Sequence, residues 1–138
     1  MPEADCRQIS CIHQLFEEQA QRTPNSVAVI FEEQRLTYKE LNSLSNKVAH
    51  YLQTLGVGPE VLVGICVERS LHTVIGLLGI LKAGGAYLPI DPVYPQKRIA
   101  LMLADAQVPV ILTQTHLQDI LDSCIITPPC QVICLDTD

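Results

Sequence analysis

Val61-Leu62-Val63-Gly64-Ile65-Cys66-Val67 carries no charge, and after Glu68-Arg69-Ser70 the apolar residues change spacing to Leu71, Val74, Ile75, Leu78 and Leu81. A short run that is apolar throughout is the pattern of a strand covered on both faces. The wider spacing that follows marks one face of a helix. Ser70 is a suitable N-cap for it, and Gly84-Gly85 stop it. Ala86-Tyr87-Leu88 then reads as a short extended piece leading into Pro89-Ile90-Asp91-Pro92. The unit is strand, helix, strand.

The pattern continues towards the C-terminus. Pro95 suits the first position of a helix whose Ile99, Met102, Leu103 and Ala106 share a face. Val110-Ile111-Leu112 reads as a strand, a shorter helix carries Leu117, Ile120 and Leu121, and Val132-Ile133-Cys134-Leu135 reads as a last strand. Alternation of this kind implies right-handed crossovers and an α/β fold, a mostly parallel sheet with flanking helices. The chain stops directly after the last strand, without a helix to cover it, so truncation is expected.

Upstream, Ser10 is a candidate N-cap for a first helix with Ile12, Leu15, Phe16 and Ala20 on one face, ending before Pro24. Val27-Ala28-Val29-Ile30-Phe31 is a β-branched run that turns through Glu32-Glu33-Gln34 towards Arg35-Leu36, a small hairpin. In Leu36-Thr37-Tyr38-Lys39-Glu40-Leu41, Thr37 can accept from the Glu40 N–H while the Glu40 carboxylate accepts from the Thr37 N–H. That reciprocal capping box, with Leu36 and Leu41 as a hydrophobic staple, starts a helix. Leu44, Val48, Leu52 and Leu55 extend its stripe, Gly56 ends it and Pro59 prevents its resumption. Its length is about five turns.

The 138 residues are 48% hydrophobic and 17% charged, which suits one small domain with a real core. The net charge is −6 and Lys and Arg form no cluster, so a nucleic-acid partner is not expected. Four Tyr, two Phe and no Trp give no base-stacking platform. Met1-Pro2-Glu3-Ala4-Asp5 is not the basic-then-apolar start of a signal peptide. The longest apolar stretch, Val74 to Ile90, contains Lys82, Gly84-Gly85 and Pro89 and is too broken to span a bilayer. No membrane association and a cytoplasmic location are expected.

Six cysteines (Cys6, Cys11, Cys66, Cys124, Cys130 and Cys134) include no Cys-x-x-Cys pair, and no histidine stands at zinc-finger spacing from them. Reduced, structural thiols are expected. His13, His50, His72 and His116 form no metal motif and read as surface or helix-flank residues. There is no Gly-x-x-x-x-Gly-Lys-Ser/Thr or Gly-x-Gly-x-x-Gly. Gly76 and Gly79 lie in an apolar helix, where they permit close packing on a neighbour. Asp91 and Arg98 are expected to form an ion pair or to fix the Pro92–Pro95 turn. No Ser-His-Asp or Cys-His arrangement emerges.

Two stretches nevertheless resemble a known family. Leu36-Thr37-Tyr38-Lys39-Glu40-Leu41 resembles the first core motif of nonribosomal peptide synthetase adenylation domains. Leu81-Lys82-Ala83-Gly84-Gly85-Ala86-Tyr87-Leu88-Pro89-Ile90-Asp91 resembles the second, and Pro92-x-Tyr94-Pro95-x-x-Arg98-Ile99 continues it. Ile12-His13-Gln14-Leu15-Phe16-Glu17-Glu18-Gln19, with Thr23-Pro24, is similar to the usual opening of such a domain. The resemblance covers about Cys11 to Thr113.

It implies the N-terminal portion of the large subdomain of an adenylate-forming enzyme, preceded by a helix and a small hairpin. Residues 1–10 would be a linker and residues 11–138 an incomplete AMP-binding subdomain. Complete domains activate an amino acid with ATP and Mg²⁺, release pyrophosphate and pass the acyl group to a carrier-domain phosphopantetheine thiol. In the family that work belongs to a phosphate loop ending in Pro-Lys-Gly, to later acidic and aromatic residues and to a C-terminal lysine, none of which is here. No catalytic, cofactor-binding or metal residue is therefore carried over, no bound cofactor is expected, and the chain alone is expected to be inactive. Its expected partners are the remainder of the adenylation domain and neighbouring carrier and condensation domains.

Three other readings differ in chemistry. One is a stand-alone remnant that docks to a synthetase or self-associates through an uncovered sheet edge. Another is a piece of a related acyl-CoA ligase, against which the Ala-Tyr-Leu-Pro-Ile-Asp-Pro string counts. The third is a flavodoxin-like regulator, which would need an acidic phosphoacceptor cluster where only Glu68 follows the strand ending at Val67.

Overall fold

Thr37 and Glu40 form the reciprocal cap: the Glu40 N–H donates to Thr37 Oγ1 at 3.2 Å, and the Thr37 N–H donates to Glu40 Oε1 at 2.9 Å. From that start a helix runs over Tyr38–Thr54, ending at Gly56 with φ +92°. The computed structural model describes residues 12–124 and 130–137. In chain order these form α1 (Ile12–Arg22), β1 (Val27–Phe31), β2 (Gln34–Thr37), α2 (Tyr38–Thr54), β3 (Leu62–Ile65) and α3 (Leu71–Lys82). There follow β4 (Ala86–Pro89), α4 (Gln96–Ala106), β5 (Val110–Thr113), α5 (Gln118–Cys124) and β6 (Gln131–Cys134). Short 3₁₀ turns at Thr115–Leu117 and Leu135–Thr137 follow β5 and β6.

β1 and β2 form the expected antiparallel hairpin, turning through Glu32 at φ 55°. The other four strands make one parallel sheet in the order β4-β3-β5-β6. The apolar β3 is thus interior, and the Cys66 N–H extends its pairing to Leu112 O at 2.8 Å. One sheet face packs Val63, Ile65, Val110 and Leu112 against Ala49 and Leu52 of α2 and Ile80 of α3. The opposite face packs Ile111 against Ile99 and Leu103 of α4 and Leu121 of α5. α1 and the hairpin sit outside α2 and α3, where Leu41, Ile75 and Leu78 meet Phe16, Val29 and the staple residue Leu36.

Two local expectations change. Ile12 and Leu15 are 49% and 59% exposed, because α1 turns only Phe16 and Ala20 towards the hairpin and helices. Pro95 precedes α4 as its N-cap (φ −56°, ψ 146°), and its carbonyl accepts from the Arg98 and Ile99 N–H groups. Its extended ψ leaves it one residue short of the helical position expected for it. Ser10, Cys6, Cys11 and the 1–10 linker lie outside the described residues. Among the described residues, no helix is long and apolar enough to cross a membrane.

Gly76 and Gly79 are packing glycines, as expected. A Cβ at Gly76 would lie 2.9 Å from Ile65 Cδ1, and one at Gly79 would overlap the Val48 side chain. Gly79→Ala gains about 1 kcal/mol of helix propensity but overpacks the α2–α3 contact at a cost of roughly 1–3 kcal/mol. Urea denaturation is expected to show a net loss of stability. Gly58→Ala, with nothing near its added methyl, is expected to be neutral beside it.

Candidate functional site at the carboxyl end of the sheet

In a parallel sheet, ligand crevices open where strand order reverses, beyond the carboxyl ends of the strands. Here the chain leaves β3 for β4 on one side and returns across it to β5, so the reversal falls between β3 and β5. Gln114, which follows β5 and is 6% exposed, bridges that point. Its Oε1 accepts from the Glu68 N–H at 2.9 Å, and its Nε2 donates to Ser70 Oγ at 3.2 Å beside His72 Nδ1 at 3.3 Å. Thr113 Oγ1 donates to Cys66 O at 2.7 Å just below. Both strand ends are thus laced together, and the amide of Gln114 is fully engaged.

Around this bridge lie two exposed pairs. His116 Nε2 stands 2.6 Å from Glu68 Oε1. Thr115 donates from its N–H and Oγ1 to Asp136 Oδ1, each at 2.9 Å. Desolvation opposes ionisation of Asp136, but the Thr115 bonds outweigh it and hold the carboxyl below its usual range. A cleft of about 530 Å³ opens alongside, lined by Val67, Glu68, Arg69, Thr73, Asp91, Pro92 and Val93.

Asp91 and Arg98 form no ion pair; each steadies the Pro92–Pro95 turn separately. Asp91 Oδ1 accepts from the Val93 N–H at 3.0 Å, while the Arg98 guanidinium lies 4.1 Å from the Tyr94 ring centre. Cys66, Cys124 and Cys130 are free thiols, and Cys134 Sγ donates to Gln118 Oε1 at 3.4 Å. Burial, aided by Asp91 and Cys124, raises the Cys66 thiol to about 11, which makes it a poor nucleophile. His72 and His116 join hydrogen-bonded pairs, and no group of three metal-ligating side chains occurs among the described residues.

The residue whose role is least evident from sequence is Lys82. Its side chain is 4% exposed, yet it carries an ammonium between three helices. Nζ donates to Asn42 Oδ1 at 2.5 Å and Asn46 Oδ1 at 2.9 Å, both on α2, and lies 3.9 Å from Glu17 and 5.3 Å from the Phe16 ring centre on α1. Burial lowers its pKa, with Glu17 pulling the other way. Asn42 and Asn46 stand one turn apart, the only sequence hint of a shared partner.

The parallel sheet with this strand order, the capped α2 and the α3–β4 crossing of residues 81–91 form one α/β segment. A family profile described as AMP-binding enzyme matches residues 16–138, and the chain belongs to that family. One of the linear gramicidin synthase proteins of Brevibacillus parabrevis is 55% identical over 128 residues, covering 93% of this chain and 2% of that protein. Tyrocidine synthase 3 of the same organism is 56% identical over 111 residues, 80% of this chain and again 2% of the relative. Among solved structures, the nonribosomal peptide synthetase FmoA3 in its α-methyl-L-serine-AMP-bound form superposes with a TM-score of 0.85 and 40% identity, over 91% of this chain and 14% of that one. The chain therefore spans a small part of the proteins it matches.

Two outcomes are expected from the site chemistry. Lys82→Met removes the donor from Asn42 and Asn46 and is expected to cost about 1–3 kcal/mol in chemical denaturation, whereas Lys97→Met, at an exposed position, is expected to cost almost nothing. The raised Cys66 pKa means that the native state holds its proton after the unfolded chain has lost it. Stability from this group is complete below pH 9 and falls as pH rises towards about 11. Melting temperature against pH, compared between the wild type and Cys66→Ala, is expected to show the wild type alone losing that increment.

Proposed function

We infer that this chain is the front scaffold of a nonribosomal peptide synthetase adenylation domain that activates an amino acid with ATP and Mg²⁺. The carrying observation is the match over residues 16–138 together with the 81–91 crossing. Residues 11–138 are read as an incomplete AMP-binding subdomain, with 1–10 as linker. Its partners in the working enzyme are the rest of that domain and neighbouring carrier and condensation domains. The setting is cytoplasmic.

The residues of the cleft do not fit a nucleotide triphosphate. The cleft beside β3 offers one cation, Arg69, against two carboxylates, Glu68 and Asp91, and a triphosphate would meet repulsion. Thr73 Oγ1 on the cleft wall already donates to Glu68 O and accepts from the Ser70 N–H, and behind it Ser70 Oγ and the Gln114 amide are engaged with each other. The chain's contribution is accordingly to form a rigid platform, and adenylation chemistry resides in residues outside it.

The isolated chain is expected to give no amino-acid-dependent exchange of labelled pyrophosphate into ATP. Exchange well above a no-protein blank, across a panel of amino acids, would overturn that assignment.

A further inference from the structure

α4 carries its charges in the reverse of the order that suits a helix. Lys97 and Arg98 stand in its first turn and Asp105 in its last, with no acidic residue in the first turn and no basic one in the last. The helix dipole favours anions at the N-terminus and cations at the C-terminus, so each of these charges weakens the helix slightly where it stands. Arg98 has a partner in the Tyr94 ring. Lys97 and Asp105 are exposed, and neither joins an ion pair among the described residues.

Between them lies Leu101, at the midpoint of Gln96–Ala106 and 70% exposed. Lys97, Leu101 and Asp105 recur at four-residue intervals and so form one ridge along α4. That ridge points away from Ile99 and Leu103, which pack on the sheet. Ala104, half-buried beside Leu101, is small enough to let a facing helix approach.

A cation, an apolar residue and an anion at equal spacing are complementary to the same ridge turned end for end. Two copies related by a twofold axis at Leu101 bring the two leucines together and set Lys97 of each copy beside the partner's Asp105. Each charge lies four residues, about 6 Å, from that axis, within reach of a lysine side chain. The antiparallel neighbour also corrects the mismatch with the helix dipole, because it brings a carboxylate to each N-terminus and an ammonium to each C-terminus.

We propose that the outer face of α4 docks a second copy of this chain, antiparallel about Leu101, through two Lys97–Asp105 bridges. The occupant follows from the charge order: a twofold contact uses the same patch on both copies and needs that patch to complement itself. The contact is one helix face wide, at the small end of specific interfaces, so the dimer is weak. Its bridges are exposed, so it weakens further as salt rises.

Sedimentation velocity on the chain, taken up to about 1 mM, tests it. The wild type is expected to dimerise, and Leu101→Asp is expected to lower the association constant tenfold or more. Lys97→Asp and Asp105→Lys each turn both bridges into like-charge pairs and are expected to lower it about tenfold. Neither is expected to lower the melting temperature of the dilute chain, since each improves the match to the helix dipole. The decisive sample mixes these two variants: one ridge is then wholly anionic and the other wholly cationic, and the mixture is expected to associate at least as strongly as the wild type. A chain that stays monomeric throughout would overturn the proposal. So would a dimer that survives Leu101→Asp, which assigns the contact to another face, or a mixture that associates no better than its components. Pyrophosphate exchange has no part in these readouts, so they hold whichever way the adenylation reading is decided.

Discussion

Val48 lies against the bare backbone of Gly79, and this contact sets how closely α2 and α3 approach. Both helices pack on the same face of the sheet, where Ala49, Leu52 and Ile80 cover Val63, Ile65 and Val110. They also form the floor on which α1 and the hairpin rest. Any added volume at residue 79 must separate α2 from α3, and close-packed interiors transmit such strain instead of absorbing it. Lys82, one turn beyond Gly79, fastens the same pair of helices with polar bonds and reaches α1 as well. An apolar contact thus fixes spacing, and a buried cation fixes which surfaces face each other.

The carboxyl end of the sheet is held by a different kind of bond. Gln114, Thr113 and Thr115 each reach from the β5 end to a neighbouring strand end, at Glu68, Cys66 and Asp136 respectively. Side chains that elsewhere in this architecture would face a ligand here satisfy one another. The consequence is a stiff edge with few uncommitted donors. Such an edge can position loops supplied by other parts of a domain, and it fits poorly as an anion site of its own.

Most of the fold was legible because its determinants are local. A capping box needs four consecutive residues, a hairpin two short runs, and a buried parallel strand an uninterrupted apolar stretch; β1 to β6 and α2 to α5 followed from such signals. The misreadings share one cause. The stripe Ile12-Leu15-Phe16-Ala20 reads as a buried face, but only the arrangement of α2, α3 and the hairpin decides that Phe16 and Ala20 are covered and Ile12 and Leu15 are not. Asp91 and Arg98 left two alternatives open, an ion pair or the Pro92–Pro95 turn, and only the three-dimensional placement of Val93 and Tyr94 selects the turn. Gln114 lies 46 residues from the Glu68 N–H it holds, and Lys82 lies 40 from Asn42. The one-turn spacing of Asn42 and Asn46 hints at a shared partner, but nothing in the linear sequence says that the partner is Lys82.

The motif that carries the family likeness is itself a record of these constraints. Along residues 82–91, Lys82 is the buried strut and Ala83 is 4% exposed. Gly84 takes φ +89°, a conformation that favours glycine, and a Cβ on Gly85 would lie 2.9 Å from Val57 Cγ1 and 3.0 Å from Val61 O. Ala86 to Pro89 pair with β3, Ile90 is 3% exposed, and Asp91 holds the following turn. Lys82, Ala83, Gly84, Gly85, Ile90 and Asp91 each answer to a packing or backbone requirement. A long, specific signature can therefore owe much of its pattern to folding. Such a stretch is over-determined because it must end a helix, form a strand and set up the following turn within about ten residues, a geometry few residue combinations satisfy.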